Sequence, residues 1–408
     1  MSSLKNHFPY FEKHPELVYL DSAATSHKPK VMIDRLTRFY TEECATVHRA
    51  IYKPSLKATE SYNQTRETVQ KFINAKEVDE IVFTKGTTES LNLVARSFGK
   101  ASLAPGDEIL ISEMEHHSNH VPWQLLAKET GAVLRFIPID NRGVLLWEGT
   151  ITPKTKIVSL AHVSNVTGTI NPIKEIATAA HMVGAVMVVD GAQAAPHMKI
   201  DVQKLNCDFY AFSAHKCYGP TGVGVLYGKK ELLNKMPPLF GGGDMIEKVD
   251  LLTSTYQEAP LRFEAGTPAI GSVVAFKASL DFLTEVGLPK IEEHTDHLSH
   301  LAHQKIAKIP GVKILGRAPN KGPLLSFLVE GFHPLDIATM LDLEDIAIRS
   351  GHMCAQPLMR RFGTDVAMRA SFGMYNTVSD VDRFVVGLSK VLDRLRSASG
   401  KTAPCTFS

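Results

Sequence analysis

Cysteine is scarce in this sequence: 408 residues contain five, and no two of them form a CxxC pair. An odd number of widely spaced thiols argues against a disulfide framework and favours a reducing compartment. We therefore expect free thiols at all five positions, which are Cys44, Cys207, Cys217, Cys354 and Cys405.

The chain also lacks an excess of charge of either sign. Lysine and arginine number 45 and aspartate and glutamate 43, which gives a formal net charge of +2. This balance argues against a protein whose main task is to bind a nucleic-acid backbone or a membrane surface. The hydrophobic fraction of 44% is enough for a packed core, and the length favours two or three domains.

No segment is long and apolar enough for a secretory signal or a membrane span. The most apolar stretch, 179–189, is interrupted by His181 and has about half the length that a bilayer crossing requires. The first twenty residues lack a continuous apolar region and carry Glu12 and Glu16, which a transit peptide would usually avoid. We therefore expect a soluble protein of the cytoplasm.

From about residue 80 to 230 the sequence alternates short β-branched apolar runs with helix-period segments. The runs are nearly all apolar and do not alternate, which is typical of strands buried on both faces. This alternation predicts an α/β domain with a mainly parallel sheet flanked by helices. The predicted strands are 81–84, 109–112, 133–137, 157–160, 186–189, 209–212 and 223–227, and the predicted helices are 89–98, 122–130 and 174–182.

A second set of elements follows the three glycines at 241–243. A smaller α+β domain explains this set better than a continuation of the first sheet. We predict a large domain at 21–268, a small domain at 269–408, and an N-terminal segment at 1–20 that packs with the small domain. The predicted elements are a long helical pattern over 270–309, strands 312–315, 324–329, 346–349 and 367–371, and helices 335–343 and 380–395.

Polar residues follow the predicted strands of the first sheet at the point where each strand ends. In an open α/β sheet, ligands bind outside the carboxyl ends of the strands, so these positions are informative. One edge of the sheet should gather hydroxyls, a carboxylate, imidazoles and an amine. The residues are Gly86, Thr87, Thr88, Glu115, His116, His117, Asn165, Asp190, Gln193, Ser213, His215 and Lys216.

Several of these residues also have an ordinary structural explanation. The Gly-Thr-Thr motif at 86–88 could seat a phosphate on the N–H groups of a helix start, or it could be a plain helix cap. Asp190 could pair with a cation or could cap a local turn. Lys216 follows a buried strand and could have the lowered pKa of a Schiff-base lysine, whereas a lone lysine is usually a solvated surface group.

Taken together, these residues match the needs of one cofactor, pyridoxal phosphate. Its aldehyde requires a lysine, its ring nitrogen a carboxylate, its phosphate a helix N-terminus and its flat ring a stacking partner. Lys216, Asp190, Thr88 and His116 could supply these in turn. Gln193 lies about one helical turn beyond Asp190 and could reach the ring oxygen.

Four motifs resemble those of the class V, fold-type I pyridoxal-phosphate enzymes. They are VVDGAQAAPHMKIDVQ at 188–203, SAHKCYGPTGVGVLYG at 213–228, FEAGTP at 263–268 and RSGHMCAQPLM at 349–359. More narrowly, the chain resembles the SufS-type, group II cysteine desulfurases, which are relatives of selenocysteine lyase. The resemblance extends from LDSAATS at 20–26 to the last predicted helix and implies a seven-stranded sheet in the large domain.

The resemblance implies a role for each cofactor-binding residue. Lys216 would hold the cofactor as a Schiff base, Asp190 would pair with the pyridinium, and Gln193 with the phenolate oxygen. His116 would stack on the ring and assist proton transfer, and Asn165 would lie near the ring oxygen and the substrate carboxylate. The phosphate would be held by Thr87, Thr88, Ser213, His215 and, from the other subunit of a dimer, Thr267.

On the substrate side, the resemblance implies that Arg369 clamps the α-carboxylate through its guanidinium. Arg349 would lie nearby as a second cation, and His48 would line the pocket from its entrance. His352 would belong to the same set, as a neighbour of the reactive thiol. No metal site is predicted.

Cys354 is the predicted nucleophile, because it lies beside Arg349 and His352 in a glycine-containing loop where a thiolate would be accessible. The family more often has His-His-Cys where this chain has His352, Met353 and Cys354, so one imidazole beside the thiol is missing. For Cys44, Cys207 and Cys217 a packing role is predicted.

The resemblance implies that L-cysteine is converted to L-alanine and that its sulfur is left as a persulfide on Cys354. The sulfur would pass to an acceptor protein of the SufE or SufU type and to the scaffold on which iron–sulfur clusters are assembled. L-Selenocysteine would enter the same pocket. An aminotransferase or another lyase of the same fold is the alternative, and a catalytically silent scaffold is a third interpretation.

Overall fold

The computed structural model describes residues 2–399, so that Met1 and residues 400–408, with Cys405, lie outside the described residues. The strands are β1 (Val18–Tyr19), β2 (Ile81–Thr84), β3 (Glu108–Ser112), β4 (Val133–Ile137), β5 (Thr155–Ala161), β6 (Val186–Asp190), β7 (Phe209–Ser213), β8 (Gly224–Gly228), β9 (Ile246–Val249), β10 (Ser254–Tyr256), β11 (Val312–Leu315), β12 (Leu324–Val329), β13 (Ile346–Ala347), β14 (Arg349–Gly351) and β15 (Ala367–Ser371).

The α-helices surround these strands and are joined in places by short 3-10 or π-helical turns. They are α1 (Pro9–Lys13), α2 (Lys30–Arg38), α3 (Lys53–Phe72), α4 (Thr87–Leu93), α5 (Lys100–Ser102), α6 (Val121–Thr130), α7 (Ile173–Met182), α8 (Val202–Leu205), α9 (Lys230–Leu233), α10 (Ile270–Val286), α11 (Leu288–Ile306), α12 (Pro334–Asp342), α13 (Gln356–Arg361) and α14 (Val378–Ser399).

The predicted α/β sheet is confirmed as a seven-stranded sheet in the order β2-β8-β7-β6-β5-β3-β4. Its pairs are parallel except at β8, which runs antiparallel to both β2 and β7. The central strands are buried on both faces, as their apolar composition predicted. The carboxyl ends of β3, β5, β6 and β7 therefore meet at one edge.

The second set of elements forms a four-stranded antiparallel sheet in the order β11-β12-β15-β14. Two predictions here were wrong in detail. The strand predicted at 346–349 is divided, because β13 pairs with β1 whereas β14 pairs with β15. The long helical pattern over 270–309 consists of two helices separated at Gly287, whose φ of 92° ends α10.

Three apolar cores hold these sheets. Two of them cover the two faces of the seven-stranded sheet, and the third lies between the four-stranded sheet and helices α11, α12 and α14. Val18 and Leu20 lie in the third core, whereas Phe8 packs in the first core against Tyr218, Phe282 and Tyr375.

Helix α10 also lies in the first core and packs on α2 and α3, so it is shared with the sheet domain. The domain boundaries at 20, 268 and 408 stay a prediction. Within residues 2–399, no helix has both the length and the apolar character of a bilayer span.

Candidate active site

A cavity of about 220 Å³ lies at the carboxyl edge of the seven-stranded sheet. It gathers most of the predicted site residues, although they come from distant parts of the chain. Those that line it are Thr87, Thr88, His116, Asn165, Asp190, Gln193, Ser213, His215, Lys216, Arg349, Cys354 and Arg369.

Lys216 and Asp190 both line this cavity, Asp190 buried and Lys216 half-buried, and their opposite charges interact. Asp190 is the last residue of β6, and its Oδ1 accepts a hydrogen bond from the Ala192 N–H at 2.9 Å. Burial lowers the pKa of Lys216 to about 8, although the charge of Asp190 opposes the change. Burial likewise raises the pKa of Asp190. About a tenth of the Lys216 amine is therefore unprotonated at pH 7, far more than for an ordinary lysine, and this fraction can act as a nucleophile.

The start of α4 forms an anion seat beside this pair. Its N-cap is Gly86, which has no side chain that could cap the helix. The Thr87 N–H and hydroxyl instead contact Ser213 Oγ at 2.8 and 2.7 Å, and Thr88 Oγ1 contacts Ser118 Oγ at 2.7 Å. The seat thus combines hydroxyl groups with a helix N-terminus, which suits a phosphate.

His116 and Gln193 also line the cavity. Burial, aided by the charge of Lys216, lowers the pKa of His116 to about 3, so its ring is neutral at ordinary pH. The His116 Nδ1 accepts a hydrogen bond from the Ser118 N–H at 3.1 Å, which fixes the proton on Nε2. Gln193 Nε2 donates to the Ala23 carbonyl at 2.8 Å and so joins the N-terminal segment to the cavity wall.

Asn165 and His215 connect the cavity to neighbouring loops. The side-chain Nδ2 of Asn165 donates to the Met353 carbonyl at 2.7 Å. The main-chain carbonyl of Asn165 accepts a hydrogen bond from Arg369 Nη1 at 3.0 Å. The Nδ1 of His215 lies 3.2 Å from Thr25 Oγ1. Asn165 therefore links the loop of the predicted nucleophile to the predicted carboxylate clamp.

Cys354 lies in a tightly bound loop with unusual backbone geometry. Both Met353 and Cys354 have a φ of 53°, in the left-handed region that few non-glycine residues adopt. The loop is held in this form because the Cys354 carbonyl accepts from the His117 N–H at 2.7 Å and the Cys354 N–H donates to His352 Nδ1 at 3.0 Å. Met353 is buried, whereas Cys354 is half-buried and lines the cavity.

The other cysteines lie elsewhere. Cys207 and Cys217 are buried, which agrees with their predicted packing role, and burial raises the pKa of the Cys217 thiol to about 12. Cys44 is exposed, so its predicted packing role is wrong. The turn after α2 leaves this side chain at the surface.

Arg369 is buried at the side of the cavity that faces the small domain. Its Nη2 donates to Asp21 Oδ1 at 2.9 Å, and Arg349 reaches the other oxygen of Asp21 at 3.5 Å. The Nε of Arg369 has no hydrogen-bond partner among the described residues. A buried guanidinium with a free N–H is suited to a carboxylate ligand.

Three predicted site residues do not line this cavity within one chain. Thr267 lies in a second cavity, of about 650 Å³, together with Tyr62 and Phe83. His48 packs edge-on against Tyr62, with ring centroids 5.7 Å apart, and its N–H donates to Thr59. His352 is exposed beside Cys354, where it contacts the reactive loop.

The prediction also missed residues of the site. Asp21 orients Arg369, and Ser118 binds both Thr88 and His116. His117 stands next to a predicted residue but was given no role, although its main chain fixes the Cys354 loop. Asp21 lies within the family motif at 20–26, which was the one available signal for it.

The arrangement fits pyridoxal phosphate on its own geometry. Asp190 accepts one hydrogen bond from the main chain and faces the cavity, so it can pair with a protonated ring nitrogen. The start of α4, together with the hydroxyls of Thr87, Thr88 and Ser213, can take the phosphate, and the amine of Lys216 can take the aldehyde. Arg369, which lines the same cavity, can take the carboxylate of an amino-acid substrate.

The chain matches the family model of the class-V aminotransferases over residues 18–384. A probable cysteine desulfurase from Halalkalibacterium halodurans is 49% identical over 393 residues, which are 95% of this chain and 97% of that protein. A cysteine desulfurase from Synechococcus elongatus is 45% identical over 92% of this chain, which spans 60% of that protein's length.

A solved structure of similar fold is that of the cysteine desulfurase CsdA (S-sulfonic acid) from Escherichia coli. It is 41% identical, has a TM-score of 0.91, and the match covers 96% of this chain and 98% of that one. The family model, the relatives and the fold agree with the geometry of the cavity. This chain therefore belongs to the class-V aminotransferase family, which has fold type I and depends on pyridoxal phosphate.

Proposed function

We propose that this protein is a cysteine desulfurase, which converts L-cysteine to L-alanine and keeps the sulfur as a persulfide on Cys354. The observation that carries the proposal is that Lys216, Arg369 and Cys354 line one cavity. An amine, a carboxylate clamp and a thiol are the three groups that this reaction requires. The relatives named above support the same activity.

Substrate binding is assigned to Arg369 and Arg349, which would hold the α-carboxylate of cysteine. Asn165 would support the clamp, because its main-chain carbonyl accepts a hydrogen bond from Arg369 and its side-chain amide donates to the loop of Cys354. This connection sets the distance between the bound substrate and the thiol. His352, next to Cys354, would lie at the entrance.

When bound, pyridoxal phosphate supplies an electron sink for bond cleavage at the substrate. The residues that would hold it are Lys216, Asp190, Gln193 and His116 around the ring, and Thr87, Thr88, Ser213 and His215 around the phosphate. Lys216 would then take the proton from the substrate Cα, because its lowered pKa of about 8 brings the free amine within reach near neutral pH. His116 stays neutral, so it would stack on the ring without adding a charge, and its Nε2–H remains available as a hydrogen-bond donor.

Cys354 would attack the sulfur of the substrate as a thiolate. A sulfur–sulfur bond forms and the carbon–sulfur bond breaks, with its electron pair passing to the carbon skeleton that becomes alanine. The persulfide would then pass to an acceptor protein of the SufE or SufU type for iron–sulfur cluster assembly. L-Selenocysteine would be cleaved in the same pocket.

The working form is proposed to be a homodimer in which Thr267 of one subunit joins the phosphate site of the other. Two observations support this. Thr267 lies outside the main cavity within one chain. The hairpin of β9 and β10 also carries Leu251 and Leu252 fully exposed at its tip, which is unusual for a surface in contact with water only.

The mass of the intact protein after addition of cysteine tests the activity. One extra sulfur atom, located on Cys354 by peptide mapping, together with stoichiometric alanine, is the expected result. C354S should form no adduct, whereas C44S, which replaces an exposed thiol remote from the cavity, should behave as the native protein. A stoichiometric keto acid without sulfide would instead indicate an aminotransferase.

Gel filtration, combined with cofactor titration of T267A, tests the dimer. The proposal expects a mass of two chains and weaker cofactor binding by the variant. A monomer that binds the cofactor as tightly as the dimer would exclude a shared site.

A further inference from the structure

Three side chains of the kind that bind soft metals meet beside the cavity: His117, His352 and Cys354. One ring nitrogen of each histidine and the Sγ of Cys354 lie within 4.8 Å of one another. The two imidazole rings have centroids 5.6 Å apart and are tilted by 33°. None of the three side chains is fully buried, so an ion can reach them from solvent.

The main chain assembles this group before any ion arrives. The His117 N–H donates to the Cys354 carbonyl at 2.7 Å, a main-chain contact that involves neither imidazole ring. Asn165 fixes the same loop through the carbonyl of Met353. A ligand set that is held together by the fold loses little conformational freedom when it binds.

We propose that His117, His352 and Cys354 form a binding site for Zn²⁺ or a similar thiophilic divalent cation, with the fourth position open. Two imidazole nitrogens and one thiolate are a donor set that suits tetrahedral zinc. Bond lengths of about 2.3 Å to sulfur and about 2.0 Å to nitrogen require the ligand atoms to approach by roughly 1 Å from their present spacing. His352 is exposed and can make that adjustment.

Binding has a cost that can be identified. His352 Nδ1 accepts a hydrogen bond from the Cys354 N–H at 3.0 Å, and His117 Nε2 accepts from Gln356 at 3.2 Å. A neutral imidazole that binds a metal through one nitrogen carries its proton on the other, so these two hydrogen bonds are exchanged for metal bonds or for contacts to water. Three coordinate bonds outweigh two partly solvated hydrogen bonds.

The ion would hold the thiolate, and the thiol proton would pass to solvent. If Cys354 is the nucleophile of the proposed function, zinc is then a reversible inhibitor that a chelator removes. This consequence rests on the proposed function, whereas the site itself depends only on the three side chains. The two can therefore be tested separately.

The test is a zinc titration of the holoenzyme in a C44S/C405S background, with a chromogenic chelator as competitor. We expect one tight Zn²⁺ per chain, and an affinity that falls roughly tenfold to a hundredfold in H117A and in H352A. Titration with Co²⁺ should give a thiolate charge-transfer band that C354S abolishes. H300A, which removes an exposed histidine on α11, is the matched control and should leave the affinity unchanged.

Retained cofactor absorbance shows that each variant is folded, and H117Q, which keeps a polar side chain, replaces H117A if that variant is unstable. Equal zinc affinity in C354S would overturn the proposal, because the ion would then lie elsewhere. Unchanged affinity in both histidine variants would also overturn it, because the thiol alone would be the ligand. Tight zinc binding by a protein that lacks desulfurase activity would contradict the proposed function but not the metal site.

Discussion

Asp21 accepts a hydrogen bond from Arg369 at 2.9 Å, and this contact joins two residues that are 348 positions apart. Arg369 is almost fully buried, and the second guanidinium nearby, that of Arg349, is a like charge. Asp21 is therefore the main countercharge of the proposed carboxylate clamp. It also ties the N-terminal segment to β15, which carries Arg369.

We expect D21N to lower the free energy of unfolding by about 1–3 kcal/mol, because it leaves a buried cation without a countercharge. The KM for cysteine should rise more than kcat falls, since the proposed clamp would hold a carboxylate that does not itself react. Urea unfolding and steady-state kinetics measure the two effects.

The control for this prediction is E16Q, which removes an exposed ion pair with Arg383 at 3.9 Å. It should change stability by less than about 1 kcal/mol and leave KM unchanged. If D21N behaves like E16Q, Asp21 does not orient the clamp.

The second prediction concerns the loading of the cofactor. A lysine reacts with an aldehyde only as the free amine, and burial lowers the pKa of Lys216 to about 8. The loading rate of the cofactor-free protein should therefore rise as pH increases and level off above about 8. Stopped-flow absorbance of the visible band measures this rate.

Lys28 provides an internal control, because burial lowers its pKa to about 8 as well. Its amine already donates to the carbonyls of Ser26 and His215 at 2.6 and 2.8 Å, so it should not react. Borohydride reduction and peptide mapping should find the adduct on Lys216. An adduct on Lys28 would contradict the assignment.

The third prediction concerns Gly224, whose backbone packs against Gly86 at the anion seat. Gly224 in β8 lies between Thr84 and Ser213 on the neighbouring strands. A Cβ atom at this position would come closer than 3.0 Å to the main chain of Gly86, which cannot yield as a flexible side chain could. G224A should cost about 1–3 kcal/mol and displace the start of α4, so that cofactor affinity falls roughly tenfold. Cofactor titration measures the affinity.

G106A separates this effect from a general loss of stability. Gly106 has a φ of +86° and open space around it, so alanine there costs about 1 kcal/mol of backbone strain. It should leave cofactor affinity unchanged, since the turn lies before β3 and outside the cavity. Equal affinities in G224A and the native protein would show that the seat does not depend on this close approach.

The sequence was sufficient to predict the seven strands, because each is a short, mostly apolar run between helix-period segments or turns. It also predicted that Lys216 and Asp190 lie close together, because they come at the carboxyl ends of two neighbouring parallel strands. It could not predict the contact of Asp21 with Arg369, or of His117 with the Cys354 loop, because no periodicity relates residues in different domains. The division of the strand at 346–349 was missed for a similar reason: its two halves pair with different partners.

The last prediction concerns Glu115, which is fully buried next to His116. Its carboxylate oxygens contact Ser112 Oγ, Asn119 Nδ2 at 2.6 Å and the Ala161 N–H at 2.9 Å. Burial raises the pKa of this carboxyl from 4.5 to about 8. The folded protein therefore holds a proton that the unfolded chain releases between about pH 4.5 and 8, and stability from this group is lost as pH rises through that range.

Glutamine imitates the protonated carboxyl, since its amide can donate to Ser112 while its oxygen accepts from Asn119 and Ala161. We therefore expect E115Q to be about as stable as the native protein near pH 5 and more stable by about 1–3 kcal/mol near pH 8. E115A should be less stable at both pH values, because it leaves buried donors unpaired. E113Q, at a half-exposed position in the same turn, is the matched control and should change stability by less than about 1 kcal/mol. Urea unfolding at pH 5 and pH 8 measures this difference. If the difference in the free energy of unfolding between E115Q and the native protein is the same at both pH values, Glu115 does not hold the extra proton in the folded state.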